Sequence, residues 1–229
     1  IRNAVKESKV AVIGGINSPE LAEEIIASGQ ADFVVLGRQA FADPEFPNKA
    51  AAGREDLIRR CVRCFHCYPG GYREHDTELP PEQFVPFVMP KMLAQVGQCA
   101  INPVSNFHIN PEEFPAPTRS RRVLVVGGGV AGMQAAITAS ERGHAVTLAE
   151  QSGALGGILT FTDHDFYKTD LRAFKDVLIR EVETRGITVL LDTEVTPRFL
   201  SEFEPEAVIL AVGSSPLVPS IPGIERAVD

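Results

Sequence analysis

The chain has 229 residues, a formal net charge of −8 and 44% hydrophobic residues, enough apolar material for one large core or two modest ones. An acidic balance with no basic block argues against nucleic acid or an anionic membrane as partner. No apolar run approaches the ~20 residues that span a bilayer, and the opening Ile1–Lys6 lacks the apolar stretch of a secretory signal, so a cytoplasmic protein is expected. The chain begins without Met, and we read it as an internal piece of a longer polypeptide.

Residues 10–60 predict two β–α units. Val10-Ala11-Val12-Ile13 reads as a strand buried on both faces of a parallel sheet. Ser18 is the expected N-cap of a helix with Pro19 at its first position, Leu21, Ile25 and Ile26 on its buried face and Gly29 at its end. Ala31–Leu36 is the second strand, and strand–helix–strand implies a right-handed crossover. Gly14-Gly15 after the first strand and Gly37-Arg38 after the second put backbone amides and a guanidinium at one sheet edge. In a barrel that edge is the phosphate site after strands seven and eight, and Arg38 supplies charge and paired donors. A plain barrel loop with a surface arginine remains the alternative.

The cysteines come next. All four lie in one stretch, Cys61-x-x-Cys64-x-x-Cys67 and then Cys99, which reads as metal binding rather than a disulfide framework. Thiolates suit an iron–sulfur cluster or zinc. A tight loop supplying three ligands and a remote segment supplying the fourth wraps a tetranuclear cluster better than the paired knuckles of structural zinc. His66 is read as a surface residue. From 68 to 117 the many prolines, among them Pro69, Pro80, Pro81, Pro86, Pro90, Pro103 and Pro111, forbid long helices, and Pro115–Arg122 reads as a linker.

From Arg122 the pattern is again α/β: a strand at 123–126, a helix from Ala131 to Arg142, a strand at 145–150, a helix from Asp170 to Arg185, and strands at 187–191 and 207–212. Gly127-x-Gly129-x-x-Gly132 follows the first of these strands and opens the helix, with Glu150 at the end of the next strand. Gly127 suits the tight turn, Gly129 lets the backbone approach a pyrophosphate, Gly132 permits close helix–strand packing, and the helix N-terminus offers amide donors. Glu150 is positioned to accept hydrogen bonds from ribose hydroxyls. Gly157, in the Gly156-Gly157 pair, lies where the chain could pass the same ligand.

These residues together resemble the NADH:flavin oxidoreductase family that includes 2,4-dienoyl-CoA reductase and other old yellow enzyme-like barrels, with trimethylamine dehydrogenase among its relatives. The resemblance runs through Val12-Ile13-Gly14-Gly15, Leu36-Gly37-Arg38, Asp43-Pro44, the cysteines, Cys99-Ala100-Ile101-Asn102-Pro103, the Gly127 turn, Ala211-Val212-Gly213-Ser214-Ser215-Pro216 and Ile221-Pro222-Gly223. It implies an α/β chain in three parts: the end of an FMN-binding TIM barrel (its last two β/α units) at 1–60, an iron–sulfur segment with an insertion at 61–117, and an incomplete Rossmann-like FAD-binding domain at 118–229. On that resemblance Gly14, Gly15, Gly37 and Arg38 hold FMN; Gly127, Gly129, Gly132, Glu150, Gly157, Ala211 and Gly213 hold FAD; and Cys61, Cys64, Cys67 and Cys99 hold a 4Fe-4S cluster.

The implied activity passes electrons from NAD(P)H through FAD and the cluster to FMN, which reduces an activated C=C bond of an enoate, enone or dienoyl-CoA. The proton donor and most FMN contacts are expected upstream of Ile1, so no catalytic residue is assigned and the chain alone is expected to be inactive. Expected partners are a small unsaturated substrate and the rest of the polypeptide, with a homo-oligomer left open. Residues 68–98 read as an insertion, because the gap from Cys67 to Cys99 is long for the family. Gln151 stands where the family has a basic residue, which leaves ADP as an alternative to FAD. Other readings are an amine dehydrogenase-like flavoprotein with ADP in the second site, a non-catalytic electron-transfer module, and a zinc-stapled nucleotide-binding module.

Overall fold

The computed structural model describes residues 2–68, 96–105, 113–214, 220, 221 and 223. The insertion expected at 68–98 and the Ser215-Pro216 and Pro222 positions therefore lie largely outside the described residues. The architecture is mixed α/β, with two parallel sheets.

The first sheet pairs β1 (Ala11–Ile13) with β2 (Phe33–Val35), Val12 opposite Val34. Between them α1 (Pro19–Ala27) starts as expected: the Ser18 side chain accepts from the Leu21 N–H, and Pro19 occupies the first helical position. Gly29 takes φ +69°, its N–H donates to Ile26 O, and that of Gln30 donates to Ile25 O, closing the helix with a Schellman turn.

Burial in this unit departs from the expectation. Leu21 and Ile26 stay exposed on α1, and Ile13, Phe33 and Val35 are 67%, 56% and 41% exposed. Alternation and caps fix where elements begin and end, but burial needs a covering layer. The two described strands have none on the Ile13 face. Two short helices follow, α2 (Arg38–Ala42) and α3 (Phe46–Ala51).

The second sheet has strand order β5-β4-β3-β6, all parallel: β3 (Arg122–Val126), β4 (Ala145–Ala149), β5 (Thr188–Leu190) and β6 (Ala207–Leu210). The helix α4 (Val130–Glu141) packs on β3 and β4 and against α5 (Thr169–Thr184), while α6 (Pro197–Phe203) precedes β6. Leu124, Val125, Met133, Ile137, Leu148, Leu178 and Val182 are fully buried, each stabilising the fold by about 1.5–3 kcal/mol before entropy is counted. Strand order reverses between β3 and β6. At such a switch point the loops diverge and leave a crevice at the carboxyl ends of the strands, where α/β sheets take ligands.

The cysteine segment joins the two halves. Ala42, Cys99 and Ile101 are buried in the same apolar cluster as Val123, Ile137 and Leu178, with Cys61 and Val62 packed against it. Arg59 donates from Nε (3.0 Å) and Nη2 to Glu181 Oε2 on α5, and Asp170 at the start of α5 meets Arg63 (3.0 Å) and Asn17 Nδ2 (3.2 Å). A hydrogen bond from the β1–β2 unit and ionic contacts from the cysteine strap thus fasten both to one helix.

Candidate functional site

Gly14 and Gly15 turn the chain after β1 with φ +127° and +67°, values that a residue with a Cβ rarely adopts. Gly37 lies just past β2 at the N-cap of α2, so Arg38 is the first residue of that helix. These residues line a cavity of about 560 Å³ that is also lined by Cys61 and Cys67. The Arg38 guanidinium stacks 4.3 Å over the Phe65 ring. Its Nη1 is buried with no hydrogen-bond partner among the described residues. A buried cationic donor without an acceptor is costly, and an anionic oxygen in the cavity would satisfy it. The four residues expected at a phosphate are therefore together.

None of the four cysteines is paired in a disulfide. Arg63 and Phe65, the residues on either side of Cys64, both take left-handed backbone, φ +56° and +59°, conformations held at non-glycine positions only where surrounding structure imposes them. The Gly97 N–H donates to Cys67 O (3.0 Å), tying the 96–105 segment to the loop. Burial raises the Cys99 thiol above its ordinary value; the backbone N–H groups of Ile101 and Asn102 oppose this, and charge on Cys61 and Cys64 reinforces it. Burial also raises Cys67, helped by Cys61 and Cys64 and opposed by its own backbone N–H and, to a smaller extent, by Arg38. Cys61 and Cys64 thus lie within electrostatic reach of both Cys67 and Cys99. Among the described residues, no three His, Cys, Asp or Glu groups gather closely enough to hold a single metal ion. His66 is exposed.

The third set lies at the carboxyl ends of β3, β4 and β6. A Cβ on Gly132 would sit 1.8 Å from Gly127 O, and one on Gly127 would sit 2.3 Å from Ala211 O, so the turn, the helix and the end of β6 are in backbone contact. A Cβ on Gly157 would come 2.8 Å from the Gly129 Cα, and the Gly156 N–H donates to Gly128 O (2.9 Å). The second glycine pair therefore folds onto the first. Glu150 is buried: its Oε2 accepts from the Gly128 N–H (2.6 Å) and its Oε1 from the Ser152 N–H (2.8 Å) and hydroxyl (2.7 Å). Burial opposes its ionisation, but these donors and the Gln151 backbone outweigh that and hold the carboxyl below its ordinary range. Gly213 follows with φ +71°.

Sequence reasoning missed four residues that build these sites. Ser152 anchors Glu150. Buried Asp43 accepts from the N–H groups of Glu45 (3.1 Å) and Arg59 (3.0 Å) and from Lys49 Nζ (2.6 Å), fixing the start of the strap. Gln39, also buried, accepts from the Cys61 N–H, and buried Asn102, in the Cys99 segment, donates to Phe41 O on α2. The signal for Asp43 and Asn102 lay in the quoted Asp-Pro and Asn-Pro pairs; Gln39 had none.

Residues 1–57 match the sequence family described as NADH:flavin oxidoreductase / NADH oxidase, and residues 122–208 match FAD dependent oxidoreductase. The chain is 38% identical over 217 residues to NADH oxidase of Thermoanaerobacter brockii, covering 95% of this chain and 31% of that protein. It is 31% identical over 228 residues to cinnamate reductase of Clostridium sporogenes, covering 99% of this chain and 31% of the relative. A solved structure of 2-naphthoyl-CoA reductase in complex with 2-naphthoyl-CoA superposes with TM-score 0.79 at 28% identity, over 98% of this chain and 31% of that one. The chain thus spans about a third of the length of the relatives it matches.

Proposed function

From the premise that this chain belongs to the NADH:flavin oxidoreductase / NADH oxidase family over residues 1–57 and to the FAD dependent oxidoreductases over residues 122–208, we propose that it is the cofactor-bridging part of an iron–sulfur flavoprotein reductase. The full enzyme draws electrons from NAD(P)H and reduces an activated C=C bond of a small enoate, enone or acyl-CoA. The observation that carries this reading is one cavity lined at once by Arg38, with its unpartnered Nη1, and by Cys61 and Cys67. An anion site and a thiolate site that share a wall are arranged for electron exchange rather than for a structural staple.

In this reading residues 1–60 are the last two β/α units of an FMN-binding TIM barrel, 61–117 the iron–sulfur segment and 118–229 a Rossmann-like FAD domain. Arg38 neutralises and orients the FMN phosphate through charge-assisted bonds, while Gly14, Gly15 and Gly37 let the backbone approach it. Cys61, Cys64, Cys67 and Cys99 are the thiolates for a 4Fe-4S cluster, and the N–H groups aimed at Cys99 offset its negative charge. The N-terminus of α4 with Gly127, Gly129 and Gly132 receives a pyrophosphate. Glu150, held ionised, keeps lone pairs for ribose hydroxyls, and Gly157, Ala211 and Gly213 close the same crevice. When bound, the flavins supply hydride transfer and the cluster single-electron transfer between them.

Anaerobic iron, sulfide and flavin analysis of the full polypeptide tests the reading. The expected result is about four iron and four sulfide per chain, with FMN and FAD released on denaturation, and NADH oxidation that accelerates when an enoate is added. Zinc without sulfide would overturn it.

A further inference from the structure

Both parts of the cysteine set are fastened to the same five-residue helix, α2. On one side stands Gln39, only 3% exposed. Its Nε2 donates to Arg59 O (3.0 Å) and its Oε1 accepts from the Cys61 N–H (2.9 Å), so the side-chain amide pins the strap on both sides of Arg60. On the other side Asn102, 8% exposed, donates from Nδ2 to Phe41 O (2.9 Å), and its Oδ1 accepts from the Val104 N–H (3.2 Å). Asn102 pairs with Cys99 across an isolated bridge, and its N–H is one of the two aimed at the Cys99 sulfur. The residue before Gln39 is Arg38.

Three things are therefore referenced to a single turn of backbone: the cation facing the cavity, the first cysteine and the last. The bonds that hold this registration are buried, and both ends of the Gln39 amide are used, so an apolar replacement strands a buried N–H and a buried carbonyl together.

We propose that Gln39 is a positioning residue that sets where the cysteine centre sits relative to the anion cavity, with Asn102 as its counterpart on the Cys99 side. The assignment rests on the cluster reading above. Partners of this kind, which orient ligands without touching the metal, typically change metal affinity by about 10–100-fold when removed.

The test uses the full polypeptide, purified and reconstituted anaerobically, with Gln39→Leu, Gln39→Glu and Asn102→Ala. In the metal-free protein, alkylation at Cys61 by a maleimide is expected to quicken several-fold in Gln39→Leu while that at Cys64 is unchanged; equal Cys61 rates overturn the assignment without reference to any cluster. In the reconstituted protein, Gln39→Leu and Asn102→Ala are expected to lose iron to a chelator about tenfold faster than the parent and to shift the reduction potential of the cluster. Gln39→Glu, whose protonated carboxyl can make both bonds, is expected to recover most of the retention, with thermal unfolding of the β3–β6 unit equal in all variants. Parent-like chelation rate and potential in Gln39→Leu overturn the positioning role. A parent that takes up no iron and sulfide overturns the cluster reading instead, and is distinguished by leaving the alkylation result intact.

Discussion

Arg59 and Glu181 form the most buried ion pair between the cysteine strap and α5, with two guanidinium nitrogens on a single carboxylate oxygen and side chains only 13% and 5% exposed. Arg185 meets the other carboxylate oxygen at 3.4 Å. A pair of this kind stabilises little against a well-packed apolar pair, but losing one member leaves a buried charge without compensation. Arg59→Ala and Glu181→Ala are each expected to cost about 3–5 kcal/mol in urea unfolding. The double variant Arg59→Met/Glu181→Leu should cost clearly less than the sum. Additive losses would show that the two groups do not act as a pair.

The contact between Gly132 and Gly127 makes a sharper demand. A methyl at 132 would lie 1.8 Å from a backbone carbonyl oxygen, an atom that cannot swing away as a side-chain end could. Gly132→Ala must push α4 off β3, and overpacking typically costs about 1–3 kcal/mol. The same shift should open the turn that faces the proposed pyrophosphate, so calorimetry is expected to show weaker binding of FAD and of ADP alike.

Local chemistry was legible wherever the decisive interaction was near in sequence. Ser18-Pro19 foretold the start of α1, Gly143 and Gly29 foretold helix ends, and the glycine turn with Glu150 converged as its spacing implied. The burial of Leu21, Ile26 and Ile13 was not legible, because an apolar stripe states a preference while exposure depends on which layers are present. Helix α6 was overlooked although Thr196-Pro197 repeats the Ser18-Pro19 signal, with the Thr196 side chain accepting from the Phe199 N–H. Gln39 lay beyond reach: its two bonds join residues 20 and 22 positions away, and no local pattern marks a glutamine that works at that distance.

Acid should loosen the ligand end of the second sheet. Glu150 has a carboxyl held below its ordinary value of 4.5 in the fold, so folding favours its ionised form. That contribution is complete above the unfolded-state pKa and is lost as pH falls through the lower folded-state value. Parent stability is therefore expected to fall below pH 4.5, with part of the slope missing in Glu150→Gln. Asp163 and Glu206 are also depressed but exposed, so the informative quantity is the difference between parent and variant across pH 3–6 in chemical unfolding. Parallel curves would remove Glu150 from the acid response.

Arg38 joins charge, shape and a missing partner in one side chain. It lines the cavity, stacks on Phe65, draws the Cys67 thiol downward and leaves Nη1 buried without a partner among the described residues. Lysine keeps the charge but neither the planar stack nor the forked donors. In the full polypeptide Arg38→Lys is expected to weaken FMN binding by about tenfold or more, the equivalent of one charged hydrogen bond of about 1.5–3 kcal/mol, and Arg38→Ala to weaken it further. Fluorescence titration with FMN, repeated with riboflavin, separates the causes. Because riboflavin lacks the phosphate, its affinity should be nearly the same in parent and variants; a parallel loss for both ligands would place the Arg38 effect on the shape of the cavity rather than on the anion.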